Sequence, residues 1–587
     1  VVSRALKSIF HSDIVFELRD DETDRRVLPR HGRRRRFAQP PCRAYPRGLT
    51  RSRAQGGKTL LQTDPETARA DAPASAPQAV ISAAGPGAPP AATAPRRQLR
   101  TVMAGALLAM TLAALDQNIV NTALPRMVGD LGGMTHIAWV VTAFMLTSTT
   151  TTPLYGKLSD MYGRRALFFV AITVFLGGSL LCGAAQSMAQ LILFRALQGL
   201  GAGGLMVLAQ SAIGDVVSPR ERPRYQGLFT GTFALASVAG PLLGGVITSA
   251  LSWRWVFYVN LPIGIVALAM IAIGLRKPPA RKARPIDYAG TLLLAGTTTA
   301  LLLLLAWGGV EFPWASVQVL GMAAAVVVLF ILFLRRERAA PEPLIRLALF
   351  RNPVVSRGIG VGGMMTFAML GSTVFLPLYF QLVLGMSPAA AGAMLLPQVA
   401  GMMLSSIVGG RIVSRIGHNK PFLLAGLGLE AVALMGLAGL AALAAPWAVF
   451  LLPMAMLGLG MGMGMPNLTT AIQNAVTYRE IGAVTGAMNF VRSLGGAVGV
   501  ASSGAIMAAR LQASMSGGQL DVQALTARGT AALAQFSPAQ LAAVSGAYRS
   551  ALTGCFLLSG VVMTTAFVLV LGLKEQALRD GLDEARA

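Results

Sequence analysis

Fourteen times along this chain, about 20 mostly apolar residues follow one another, the length a helix needs to cross the hydrocarbon of a bilayer. The stretches are 102–124, 137–156, 166–186, 189–213, 225–250, 255–275, 286–307, 315–334, 354–380, 388–410, 421–444, 447–474, 481–508 and 550–573. Water does not reach the backbone in hydrocarbon, so every amide needs a partner within its own segment and the stretches must be helical. Charged residues make up only 13% of the chain, against roughly 25% in a soluble domain. That is too few to cover a surface facing water, and the expected fold is an all-α integral membrane protein.

The first 98 residues are a different material. They hold no long apolar run and are rich in Arg, Pro and Ala. The run Arg33 to Arg36 and the tract 72–95 read as a disordered basic tail, able to touch anionic lipid, or else as a stretch read ahead of the true start. No short apolar core with a cleavage site follows the basic residues, so no signal peptide is expected. A net charge of +25 would point to nucleic acid in a soluble protein. Here much of it lies in the loops between spans, so no nucleic-acid partner is expected. Cys42, Cys182 and Cys555 fit neither a metal spacing nor a disulfide framework. They read as incidental, and neither a metal nor a cofactor is expected.

Lys and Arg also orient the spans. Loops after even-numbered spans hold 21 of them, including Lys157, Arg164, Arg165, Arg220, Arg411 and Arg479, and the opposite loops hold 5. Basic residues stay on the cytoplasmic side, which puts both termini in the cytoplasm of a protein crossing the inner (cytoplasmic) membrane many times. A shift of 259 residues lays Gly199, Gly201 and Gly203 on Gly458, Gly460 and Gly462, Arg220 on Arg479, Gly227 on Gly486 and Gly240 on Gly499. A shift of 254 lays Gly156 on Gly410 and Gly163 on Gly417. Two duplicated six-helix bundles are therefore expected, with two inserted helices between them. The domains read as a tail at 1–98, a first bundle at 99–275, a hairpin with its loops at 276–350, a second bundle at 351–573 and a C-terminal tail at 574–587. Parallel repeats of this kind place a substrate path at their interface, near the midplane.

Four segments carry chemistry. Between spans 2 and 3 stands Gly156-Lys157-Leu158-Ser159-Asp160-Met161-Tyr162-Gly163-Arg164-Arg165, in which an acid sits among cations at the membrane boundary. Span 1 holds Asp116 in Leu115-Asp116-Gln117-Asn118-Ile119-Val120-Asn121. A carboxyl in a span is costly when ionised, so it faces a cavity or a partner. Span 4 holds Arg195 and Gln198, three apart and on one helix face. An intramembrane Arg needs a counter-ion or water, and Asp116 is a candidate partner. Span 5 holds Gly227, Gly231, Gly240-Pro241 and Gly244-Gly245, where proline bends the helix and glycine admits a neighbour. The span 4 glycines lack the strand-turn-helix setting of a nucleotide loop.

The loop between spans 2 and 3 resembles the signature of the major facilitator superfamily, and span 1 resembles that of its fourteen-spanner drug:proton antiporters, the EmrB/QacA type. Asn118 stands where the span 1 signature has Thr or Ser, Phe144 where span 2 of the family has Tyr, and Ala236 where its span 5 antiporter signature has Gly. The resemblance implies proton coupling through Asp116 and Arg195. It also implies a conformational latch of Gly156, Asp160, Gly163 and Arg164, and an antiporter motif of Gly227, Gly240, Pro241, Gly244 and Gly245. Ser414 replaces Asp160 in the second repeat, so a latch there would be weaker or absent. Asn121, Gln198 and Arg492 are candidate cavity residues. Glu430 falls on the helix equivalent to peripheral span 3, where contact with lipid or the hairpin is expected. Met402, Met403, Met461, Met463 and Met465 fit either promiscuous binding or core packing.

The implied activity is export of drugs or other lipophilic small molecules in exchange for protons, by alternating access and without catalysis. A pump dedicated to one metabolite and a non-transporting membrane receptor or scaffold stay open as alternatives. The outer segment 509–549 is long enough to form a short amphipathic helix and to meet a periplasmic adaptor, as in some relatives.

Overall fold

A computed structural model describes residues 96–132, 136–275, 287–309, 311–515, 538–575 and 577–578. Most of the tail at 1–98, the middle of 509–549 and most of 574–587 lie outside the described residues. Fourteen helices of 15 residues or more follow in order: α1 Arg96–Leu131, α2 Ile137–Tyr162, α3 Arg164–Ala184, α4 Met188–Val216, α5 Arg222–Ala250, α6 Asn260–Gly274, α7 Tyr288–Trp307, α8 Val317–Ala339, α9 Pro353–Thr373, α10 Leu396–Ile416, α11 Lys420–Ala442, α12 Trp447–Asn474, α13 Ile481–Met515 and α14 Pro538–Leu571. Short helices precede α6 at Trp255–Tyr258 and α10 at Leu376–Leu382 and Pro388–Ala393.

Among the described residues, thirteen helical segments are long and apolar enough to cross a bilayer. Among the fourteen long helices the exception is α2, where the run Ser148 to Thr152 dilutes the apolar residues. Three of its hydroxyls bond to carbonyls one turn back, Ser148 to Met145 at 3.1 Å and Thr151 and Thr152 to Thr147 and Ser148 at 2.8 and 2.7 Å. Those bonds remove the donors that hydrocarbon would penalise. Starts and stops follow local chemistry. Ser187, Asp287, Ser316 and Asn352 accept backbone N–H groups at the starts of α4, α7, α8 and α9. Gly163 at φ 90° and Gly417 at φ 79° end α2 and α10. Leu193, Val246, Ile273, Val317 and Leu452 are more than half exposed, an outward apolar surface that suits lipid rather than water.

Packing repeats. In the first bundle α4 lies against α2 and α3, and α1 against α5 and α6; in the second, α12 lies against α10 and α11, and α9 against α13 and α14. The paired glycines meet equivalent partners. A Cβ on Gly203 would strike the Ser148 carbonyl and one on Gly462 the Met402 carbonyl, 254 residues on. Likewise Gly227 faces the Ser406 carbonyl and Gly486 the Thr152 carbonyl. The bundles touch mainly where α2 meets α13 and where α5 meets α10, and the hairpin α7–α8 leans on α2 and α13 through α7.

Candidate functional site

Asp116, midway along α1, is fully buried, and both of its oxygens are taken. Oδ2 accepts from Arg195 Nη1 at 2.7 Å, and Oδ1 accepts from Gln198 Nε2 at 2.8 Å and from Asn260 Nδ2 at 2.7 Å. Arg195 Nη1 also reaches Gln198 Oε1 at 2.8 Å, and Arg195 Nε donates to the Val140 carbonyl at 3.3 Å. Asn260 donates on to Ser179 Oγ at 3.0 Å, and Ser179 donates to the Phe257 carbonyl at 2.9 Å. The Arg195 guanidinium lies 4.0 Å above the Phe144 ring, a cation–π contact for which the missing tyrosine hydroxyl is not needed. Four side chains from α1, α4 and α6, with Ser179 of α3 behind them, make one closed network inside the first bundle.

This arrangement joins Asp116 and Arg195 as the sequence suggested and reassigns two other residues. Gln198 is fully buried and spent on Asp116, whereas Asn121, on the next turn of α1, is exposed. Cys182, read as incidental, places Sγ 3.7 Å from Gln198 Oε1. Asn260 and Ser179 were not foreseen as part of the site. They lie 144 and 63 positions from Asp116, and only the packing of α3 and α6 on α1 and α4 brings them in.

A second cluster closes the end of the molecule that carries the basic loops. Asp160 pairs with Arg164, and its oxygens accept the backbone N–H groups of Gly482 and Ala483 at 3.1 and 2.7 Å. A carboxylate from α2 thus caps the first turn of α13, where unsatisfied N–H groups and the helix dipole attract an anion. Arg164 is also held by Asp215 of α4 at 3.1 Å and by Ser159 at 2.9 Å. The absence of a side chain at Gly156 lets α2 touch the Gly482 carbonyl, and Gly163 makes the turn between α2 and α3. Beneath this cluster, Asn489 of α13 donates to Gln210 Oε1 of α4 at 3.0 Å, and Gln473 of α12 donates to the Gln210 carbonyl at 3.4 Å. A strap between α8 and α9 crosses the same end. Lys157 pairs with Glu342 at 3.0 Å, and Arg346 pairs with Glu480 at 3.4 Å.

At the pseudo-equivalent junction of α10 with α5, Arg220 donates to the carbonyls of Ser414 and Arg415 at 3.2 and 3.0 Å. Along α5, Gly227 admits Ser406 of α10, while Gly240 and Gly244 admit Asn118 and Thr122 of α1. Pro241 is exposed and Gly245 has open space around its Cα, so neither takes part in these approaches.

Glu430 corrects its expectation. It is 1% exposed between α11 and α12, with its Cγ against Gly460 and Oε1 beside Gly464. The glycines of α12 make room for it, which draws it away from lipid. Arg492 is half-buried, and Nη2 donates to Thr469 Oγ1 at 3.1 Å.

Residues 106–500 match the family model described as Major Facilitator Superfamily. The Multidrug transporter protein MdtP of Bacillus subtilis (strain 168) is 39% identical over 416 residues, 71% of this chain and 76% of that protein. An uncharacterized MFS-type transporter of Mycobacterium tuberculosis (strain ATCC 25618 / H37Rv) is 35% identical over 522 residues, 88% of this chain and 74% of that one. Among solved structures, the human organic anion transporter MFSD10 (TETRAN) has the same fold with a TM-score of 0.52 and 16% identity, over 80% of this chain and 99% of that one.

Two outcomes follow from the geometry. Gly244→Ala forces α5 off the Ile119 carbonyl and Thr122, costing about 1–3 kcal/mol, whereas Gly245→Ala next to it is tolerated; thermal melting of the detergent-solubilised protein distinguishes them. Asp160→Ala removes the cap on α13, a loss of about 0.5–2 kcal/mol. Spin labels at Tyr162 and Arg479 should then report a wider, more open basic end, and an unchanged distance distribution would count against the latch.

Proposed function

The chain belongs to the Major Facilitator Superfamily and is a membrane transporter, not an enzyme, and from this premise we propose that it exports drugs or other lipophilic small molecules in exchange for protons. The observation that carries the reading is the fully buried carboxylate of Asp116, with its two oxygens held by three side-chain donors. Each oxygen faces donors only. Protonation removes the charge that holds Arg195 and makes one oxygen a donor. Uptake therefore weakens the bonds that fasten α1 to α4 and α6, and release restores them. A group whose protonation rearranges helix packing is what proton-driven alternating access requires.

The closed end bears the excess of Lys and Arg, 21 against 5 across the loops. We take it as cytoplasmic, in an inner membrane with both termini on that side. The conformation is then closed to the cytoplasm, with Asp116 paired and ready to receive a proton from the opposite face before the transporter resets. The membrane potential contributes roughly 2.3 kcal/mol per charge per 100 mV to such a cycle. No bound cofactor is needed, because the proton gradient drives it.

Asp116→Asn keeps the shape of the side chain and removes its proton exchange. In inverted membrane vesicles the variant should lose pH-gradient-driven transport of a fluorescent dye, to background, while inserting at wild-type levels. Transport that survives at the wild-type rate takes Asp116 out of the mechanism.

A further inference from the structure

Two arginines lie deep in spans, and their surroundings are opposite. Arg195 is neutralised inside the first bundle by Asp116, with Gln198, the Val140 carbonyl and the Phe144 ring completing its shell. Arg492 has none of this. Among the described residues it makes one hydrogen bond, Nη2 to Thr469 Oγ1 at 3.1 Å; its buried Nε has no acceptor, and it forms no ion pair. An arginine keeps its charge throughout and offers five donors, so a cation left this way within a membrane calls for an anion from elsewhere. Glu430 does not supply it, being enclosed between α11 and α12 against Gly460 and Gly464.

The position of Arg492 says where that anion comes from. On α13 every residue from 481 to 490 is buried, and partial exposure begins at 491. The buried stretch is the closed end, finishing at Asn489, which bonds across to Gln210 of the first bundle. Arg492 follows by three residues, nearly on the same face, one turn farther from the closed end. Gly362 of α9 leaves room for the guanidinium, since a Cβ there would stand 3.1 Å from Nε.

We propose that Arg492 is a substrate-binding residue that recognises an acidic group, so that this transporter prefers lipophilic molecules bearing a carboxylate over the esters in which that group is uncharged. The guanidinium binds a carboxylate through its two Nη groups in the two-pronged geometry that a lysine ammonium lacks. The inference rests on the exporter reading above but is tested separately from it, by binding.

Rhodamine 110, a free acid, and rhodamine 123, its methyl ester, differ at the one group in question. Fluorescence polarisation with the purified full chain in detergent gives the dissociation constant of each. The wild type is expected to favour the acid at least tenfold, R492Q to bring the ratio close to one, and R492K to retain part of the preference. A wild type that binds the ester as tightly as the acid overturns the inference. So does an R492Q variant that weakens both dyes equally, because that marks a structural role. Acid preference in binding without pH-gradient-driven dye transport in proteoliposomes would leave the inference standing and remove the proton-coupled exporter reading.

Discussion

An ion pair withdrawn from water is the constraint around which the first bundle is built. Desolvating Asp116 and Arg195 costs several kcal/mol per ion, and their attraction repays it only if the remaining donors and acceptors are also satisfied. The bonds around the pair take residues from α1, α2, α4 and α6, with α3 behind them. Each helix is therefore fixed in rotation as well as position, because turning any one of them strands a polar atom. Close packing makes this possible. A Cβ at Gly178 of α3 would fall on the Gln198 backbone, and one at Gly199 would strike Thr147 and Phe144 of α2.

The same glycine spacing serves both repeats, but the polar residues placed on it have diverged. Gly201 of α4 packs on the Ala171 carbonyl and the Phe175 amide of α3, and its counterpart Gly460 packs on the Gly426 carbonyl and the Glu430 amide of α11, so Glu430 stands where the first bundle has Phe175. At the closed end the first repeat uses Asp160 to cap α13, whereas at the second junction the carbonyls of Ser414 and Arg415 accept from Arg220. A side-chain cap contributes a charge that salt and substitution can remove, and a backbone acceptor cannot be mutated away. Duplication thus preserved the scaffold while the polar contacts of the two junctions came to differ in kind.

What could be read in the sequence depended on whether a feature is local. Span lengths, the loop around Asp160 and the glycine repeats are written within short windows, and the structure has them where expected. Asp116 and Arg195 could be paired because few charges lie in spans and opposite ones seek each other. Asn260 gave weaker notice: an amide at the head of α6 looks like an interfacial residue until α6 is laid against α1. Asp215 and the Gln210–Asn489 contact gave less still, since a polar residue near a helix end is ordinary and its partner is 51 positions away in one case and 279 in the other. Glu430 was misplaced because peripheral position in the bundle was taken for exposure to lipid. The glycines opposite it on α12 were the available signal.

Helix α4 joins the two clusters that the sequence presented separately. Arg195 and Gln198 sit near its start, Gln210 takes part in the contact across the bundles, and Asp215 near its end holds Arg164 of the latch. Twenty residues of continuous helix separate Arg195 from Asp215, about 30 Å at the usual rise. A helix of that length transmits a shift or rotation at one end to the other, with no chain of intermediate contacts required. In the proposed cycle, protonation of Asp116 frees Arg195, and the element released is the same one that secures the closed end. The opening then needs no separate messenger: loosening α4 at the acid weakens the grip of Asp215 on Arg164 and the contact of Gln210 with Asn489 together, because all three are borne by one rod.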